Sequence, residues 1–236
     1  MTQIMEDISS NRGKIYSGFA QAFTFPEEEM EVMLMSGEVE LALREVANEL
    51  PFDCLLNTGD LNTNLKQSDY AAEVASADSL SILYSSKFEV GNPPVSFHES
   101  SYSMEDNKKI LEDLFRFYEH FGLSFENQKL INTPDWLISE LEFLHYLSFL
   151  ESSVSEQVTK RSFQKAQLDF LERHLGQWCK KLSEKLNEQS IEIYGSLSCL
   201  LDDFIVSDQK YLASVLVAQE QAQEQAEQAL NSSAHV

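Results

Sequence analysis

Thr133-Pro134-Asp135-Trp136-Leu137-Ile138-Ser139-Glu140-Leu141-Glu142-Phe143-Leu144-His145-Tyr146-Leu147 is the stretch whose reading decides the fold. Thr133 is placed to cap a helix, Pro134 suits a first turn, and Asp135 sits where a helix N-terminus favours negative charge. At about 100° per residue, Leu137, Leu141 and Leu144 mark one face, while Phe143, Leu147 and Leu150 mark another. A helix apolar on nearly all sides is buried within a bundle. The rest of the chain is therefore expected to wrap around it.

Outward from this helix the pattern stays helical. Arg12 to Phe23 puts Ile15, Phe19, Ala22 and Phe23 on one face, and Pro26 closes that segment. Glu27-Glu28-Glu29 opens a second helix with acids where its dipole favours them. Glu38 to Leu50 is a third, ended by Pro51. A polar loop is read over Asn57 to Gln67, after which Ser68 can cap a helix running toward Phe88. Glu105 to Phe121 is amphipathic and stops at Gly122. Ser155 to about Leu186 carries one apolar stripe with Gly176 inside it, marking close packing or a kink. Ile191 to Ile205 and Tyr211 to Val217 complete the folded part. Period-two strand patterns are absent. The expectation is an all-α, single-domain helical bundle over residues 11–217, with a flexible N-terminus (1–10) and a mobile Gln/Glu/Ala-rich tail (218–236).

Seventeen Lys and Arg against 39 Asp and Glu give a net charge of −22. Such a surface repels phosphate backbones and anionic lipid, so nucleic acid and membranes are poor partners, whereas a basic peptide is attracted. Solubility alone would account for the charge equally well. Cys54, Cys179 and Cys199 fit neither a CxxC pair nor a zinc spacing, which suits a reducing cytosol. Residues 1–10 carry no secretory signal, and no run of about 18 apolar residues suggests a membrane span. A cytoplasmic protein is expected.

Glu142 and His145 form a Glu-x-x-His pair, a spacing that in four-helix carboxylate proteins supplies two metal ligands. A second copy is missing, so the plainer reading is a histidine bonded to a carboxylate or carbonyl. His174, one turn before Trp178, reads as a buried hydrogen bond across the bundle. Phosphate loops, nucleophile elbows and zinc motifs are also missing. Neither an enzyme nor a bound cofactor or metal is expected.

Gly91-Asn92-Pro93-Pro94-Val95-Ser96-Phe97-His98-Glu99-Ser100-Ser101-Tyr102 is the longest loop between strongly helical segments. Its adjacent prolines bar a helix, and loops held on a rigid scaffold often carry function. Here the order of motifs resembles the TorD/DmsD/NarJ family of redox-enzyme maturation chaperones. Four segments carry the likeness: Arg12 to Pro26; Leu83 to Gly91 with Pro94 and His98 to Tyr102; Phe117-Tyr118, Gly122-Leu123, Pro134-Asp135 and Glu140 to Phe143; and Phe170 to Trp178. Together they span roughly residues 12–208.

The resemblance implies an all-α cytoplasmic chaperone for the catalytic subunit of a molybdenum-cofactor oxidoreductase. Such a chaperone binds the subunit's N-terminal segment, often a twin-arginine signal peptide, and delays export until the cofactor is inserted. The carried-over peptide-binding residues are Tyr84, Phe88, Pro94, Glu99, Tyr102, Asp135 and, where the family commonly has His, Trp136. Glu99 and Asp135 would meet basic groups; Tyr84, Phe88, Pro94 and Tyr102 would line an apolar part. Lys87 stands where the family commonly has Leu. Phe88-Glu89-Val90-Gly91 with His98-Glu99 is nearer the branch serving nitrate-reductase-like and dimethylsulfide-dehydrogenase-like enzymes, whose bound segment need not be an intact twin-arginine signal. Either a monomer or a homodimer is compatible. The alternatives are an acidic all-α adaptor with an unrelated partner and a helical metal-dependent oxidoreductase using Glu142 and His145.

Overall fold

Burial of apolar stripes on successive helices builds the whole molecule. A computed structural model describes residues 2–59, 79–123 and 133–233. Its helices are α1 (Thr2–Ala22), α2 (Glu28–Ser36), α3 (Glu38–Ala47), α4 (Leu55–Thr58), α5 (Leu80–Tyr84), α6 (Asn107–His120), α7 (Leu137–Ser153), α8 (Gln157–Arg173), α9 (Leu175–Glu188) and α10 (Glu192–Ser233). A widened π turn over Ser85–Glu89 extends α5, and a 3₁₀ turn covers Glu99–Ser101. Among the described residues there is no strand, only an isolated antiparallel bridge between His98 and Trp136.

α7 is the expected inner helix. Leu137, Ile138, Leu141, Phe143, Leu144 and Leu147 are all buried, as are Glu140, Ser148 and Glu151. Its exposed strip is narrow, formed by Glu142, His145 and Phe149 at i, i+3 and i+7. α1 packs along one side of α7 and α8 along another; α10 lies against α9, α8 and α4.

Several boundaries differ from the sequence reading, each for a physical reason. α1 begins at Thr2, ten residues before the expected start at Arg12. Asn57 belongs to α4, where its side chain accepts from Cys54 N at 2.9 Å and donates to Ala47 O and Phe52 O. Ser68 lies outside the described residues.

Thr133 does not cap α7. The helix starts at Leu137, and the Thr133 hydroxyl instead donates to Asp135 Oδ1 at 2.7 Å. The stripe from Ser155 to Leu186 is broken at His174, whose φ of −122° and ψ of −102° divide α8 from α9. Both readings of Gly176 are thus near the mark: the kink is two residues earlier, and a Cβ at 176 would collide with Leu171 O and the Gln209 side chain. Gly122 follows α6 with φ 79°, the left-handed conformation that ends a helix cheaply only with glycine. Finally, Ile191 to Val217 is no pair of helices. α10 runs unbroken, because the polar interval Ser207 to Lys210 includes a buried residue, Asp208.

Asp208 completes a buried polar network. Arg12, fully enclosed, pairs with Asp208 through Nε and Nη2 and with Glu151 at 3.2 Å. Its Nη2 also donates to Gln167 Oε1 at 2.8 Å, and the Tyr16 hydroxyl donates to Asp208 Oδ2 at 2.6 Å. Burial works against the guanidinium charge, but Asp208 and Glu151 outweigh it and hold its pKa above the ordinary value. One arginine thereby ties α1, α7, α8 and α10 together.

Candidate functional site

The proline loop is stapled to the start of α7. Glu99 N donates to Asp135 O and Leu137 N to Phe97 O, both at 2.8 Å. The Tyr118 hydroxyl donates to Pro134 O at 2.7 Å, so α6 supports the same corner. Two segments 37 residues apart in sequence, around His98 and Asp135, are thus held as one rigid unit.

Asp135 is buried and fully engaged. Its Oδ1 accepts from Thr133 and faces His98 Nδ1 at 3.4 Å, and its Oδ2 accepts from Ser100 N at 3.4 Å. Burial opposes ionisation, but these hydrogen bonds prevail and hold the carboxyl well below the usual range. Glu99 is also buried, and its Oε2 lies 3.0 Å from His174 Nδ1. This is the buried hydrogen bond expected of His174. Tyr102 stacks on Trp178 with ring centroids 5.5 Å apart, and its hydroxyl donates to Ser96 O at 2.7 Å. Burial pushes the Tyr102 phenol up to about 12.

A third carboxyl, missed at the sequence level, completes this acidic interior. Glu140 Oε2 accepts from Trp178 Nε1 at 3.2 Å. Burial first, and the charges of Glu99 and Asp135 second, push Glu140 well above the carboxylate range. It therefore binds its proton more tightly folded than unfolded. Its stabilising contribution is complete below about pH 4.5, its ordinary value, and is lost as pH rises through the folded value. Glu140→Gln keeps the acceptor for Trp178 and removes that dependence. Thermal melts should show the variant's advantage over the parent growing as pH rises above about 4.5, the ordinary value; a constant difference would contradict a buried neutral Glu140.

The predicted residues fall into four places. Glu99 and Tyr102 share a cleft of about 540 Å³ with Glu105, Asp113, Glu172, Arg173, His174 and Trp178. Exposed Pro94 and Tyr102 border a neighbouring hollow of about 330 Å³ with Lys181 and Lys185. Tyr84 and Phe88 are elsewhere, in an aromatic cluster with Phe97 and Tyr194. There Phe88 stacks on Phe97 at 4.3 Å, and the buried Tyr84 hydroxyl donates to Phe23 O at 2.8 Å. Trp136 is half-buried against the core beside Asp135. His174, Asp113 and Arg173 were not singled out as site residues. The Phe170 to Trp178 motif held the local signal for His174 and Arg173; Asp113 had none, and the pairing crosses helices.

Glu142 and His145 do not face a shared interior. Both lie on the exposed strip of α7, and His145 Nδ1 is 2.9 Å from Gly13 O. Among the described residues no cluster of three His, Cys, Asp or Glu is arranged to hold a metal, and no helix is long and apolar enough to cross a membrane.

Over residues 55–184 the sequence matches the family described as nitrate reductase delta subunit. A second, shorter match, over 142–232, is to bacterial self-protective colicin-like immunity proteins. The perchlorate reductase assembly chaperone protein of Dechloromonas aromatica (strain RCB) is 25% identical over 205 residues, covering 84% of this chain and 88% of that protein. The chlorate reductase assembly chaperone protein of Ideonella dechloratans is 34% identical over 113 residues, 46% of this chain and 58% of its own length. The selenate reductase assembly chaperone protein of Thauera selenatis is 34% identical over 115 residues, with the same shares.

Proposed function

We propose, from the premise that this chain belongs to the nitrate reductase delta subunit family, that it is an assembly chaperone for the catalytic subunit of a molybdenum-cofactor oxidoreductase. It is not itself a redox catalyst. In this reading it works in the cytoplasm, binds the N-terminal leader of the unfinished subunit, and delays export until the cofactor is in place. The observation that carries the reading is the family match. It spans the proline loop, the Pro134-Asp135 corner that anchors that loop, and the His174 to Trp178 segment; Glu99 and Tyr102 of the loop line one acidic cleft with His174 and Trp178.

A basic leader with a following apolar run needs acids beside apolar surface. The cleft offers Glu105 and Glu172 at its exposed rim, and Tyr102, Trp178 and Ile110 in its wall. Asp135 and Tyr84, enclosed and hydrogen-bonded within the protein, serve by holding the loop and the aromatic cluster in place. Glu99 is an indirect participant for the same reason, since it anchors His174.

The test is calorimetric titration with a synthetic leader peptide from a molybdoenzyme catalytic subunit. The parent should bind. The double reversal Glu105→Lys with Glu172→Lys should weaken binding about tenfold or more at low salt, with the gap narrowing as salt screens the rim. Absence of binding by the parent, even at low salt, would remove the leader-binding reading. A second reading, an acidic adaptor akin to colicin-immunity proteins, draws on the shorter match over 142–232. It predicts no preference for such leaders.

A further inference from the structure

The acidic cleft has a neighbour. A cavity of about 680 Å³ between α6 and α8 has Phe117, Phe121 and Ala166 on its apolar side. Two residues, Asp113 and Arg173, border both spaces. Their side chains form an ion pair that stands as the partition, and Arg173 also reaches Asp169 at 3.2 Å. The Arg173 guanidinium lies over the Phe117 ring, 5.1 Å from its centroid. On the cleft side, His174 Nε2 approaches Asp113 Oδ2 at 3.3 Å but is not aligned for a hydrogen bond.

We infer that these two spaces are halves of one docking groove, and that Arg173 is an internal stand-in for an arginine of the bound segment. The inference rests on the leader-binding reading and names the place where the leader's guanidinium sits. The chain's own side chain shows that a guanidinium fits there, between two carboxylates and over an aromatic face. It is also built to let go. Arg173 is the last residue of α8, directly before the break at His174, and its side chain is 46% exposed, so it can swing into solvent without disturbing the core.

An incoming arginine then takes Asp113, and the partition opens. The following apolar run lies along Phe117 and Phe121, while acids of the cleft rim, Glu172 among them, receive a second basic group. Arginine is preferred over lysine, because the site offers a fork-shaped pairing and a stacking face. An apolar segment lacking arginine leaves the partition shut.

The test uses the full chain and a fluorescein-labelled peptide of two arginines followed by leucines and alanines, read by anisotropy. Arg173→Gln removes the internal competitor. Affinity should rise roughly five- to thirtyfold, as expected when two part-exposed ion pairs no longer need to be broken. The charge-matched control Lys210→Gln, at an exposed position outside both cavities, should change affinity less than about twofold. Adding Asp113→Asn to Arg173→Gln should abolish the gain, and exchanging the peptide's arginines for lysines should shrink it. Parent binding with an equal or weaker Arg173→Gln, or an equal gain from Lys210→Gln, overturns the exchange and leaves the leader reading standing. Failure of both parent and Arg173→Gln to bind overturns both. Binding by Arg173→Gln alone supports the exchange.

Discussion

Arg12→Ala should lower stability by about 3–5 kcal/mol, the range for removing one partner of a buried ion pair. For a chain of this size that corresponds to a melting temperature roughly 6–20 °C lower. The cause is what remains behind. Asp208 and Glu151 would keep their charges inside the bundle with no cation to answer them, and Gln167 would lose an acceptor role. Arg12→Lys should recover only part of the loss, because a single ammonium cannot serve Asp208, Glu151 and Gln167 at once. Arg12→Met combined with Asp208→Leu should be less damaging than Arg12→Ala alone, since apolar groups then replace both members of the closest pair. Chemical denaturation followed by circular dichroism measures all three variants against the parent. If Arg12→Ala melted with the parent, the network would not hold α1 to α10.

Trp178→Ala should cost a similar amount, about 3–5 kcal/mol, by a different route. The indole is 1% exposed, stacked on Tyr102, and donates to Glu140. Truncation leaves a cavity beneath the proline loop and strips the Glu140 carboxyl of the bond from the indole. Trp178→Phe should recover most of the packing but not the bond to Glu140, so it should fall between alanine and the parent. Because Tyr102 rests on this ring, the alanine variant should also lose affinity for a leader peptide at temperatures where it is still folded. Unchanged stability would contradict the assignment of Trp178 to the core.

Why some of this was legible in the sequence and some not follows from the range of the interactions. α7 was readable because a segment apolar on nearly every side has few alternatives to burial. Its start was misplaced because Thr133 and Asp135, good capping residues in isolation, are committed to the proline loop 35 residues away. The break at His174 hides inside an unbroken apolar stripe; burial gives the same signal on both sides of a kink. Asp208 fell in the gap between Ile205 and Tyr211 because its partner, Arg12, lies at the other end of the chain. The same blindness applies to the site. Glu99 and Tyr102 came from a local motif, but Asp113 and Arg173 look like ordinary charges on the outer faces of two separate helices. Only their meeting across α6 and α8 marks them.

The pairing of Arg12 with Asp208 also sets a clock. The two residues are separated by 196 positions. A ribosome adding about 5–20 residues per second makes the second roughly 10–40 s after the first. In the first part of that interval α1 can emerge and coil with no counter-ion for its arginine; Glu151 supplies one partner when α7 is made, and Asp208, the closest, comes last. The buried network around Arg12 therefore cannot be completed from the leading end of the chain as it is made. Its completion waits for α10, and a nascent chain stalled before that helix would hold Arg12 beside Glu151 and Gln167 but without Asp208, its closest partner.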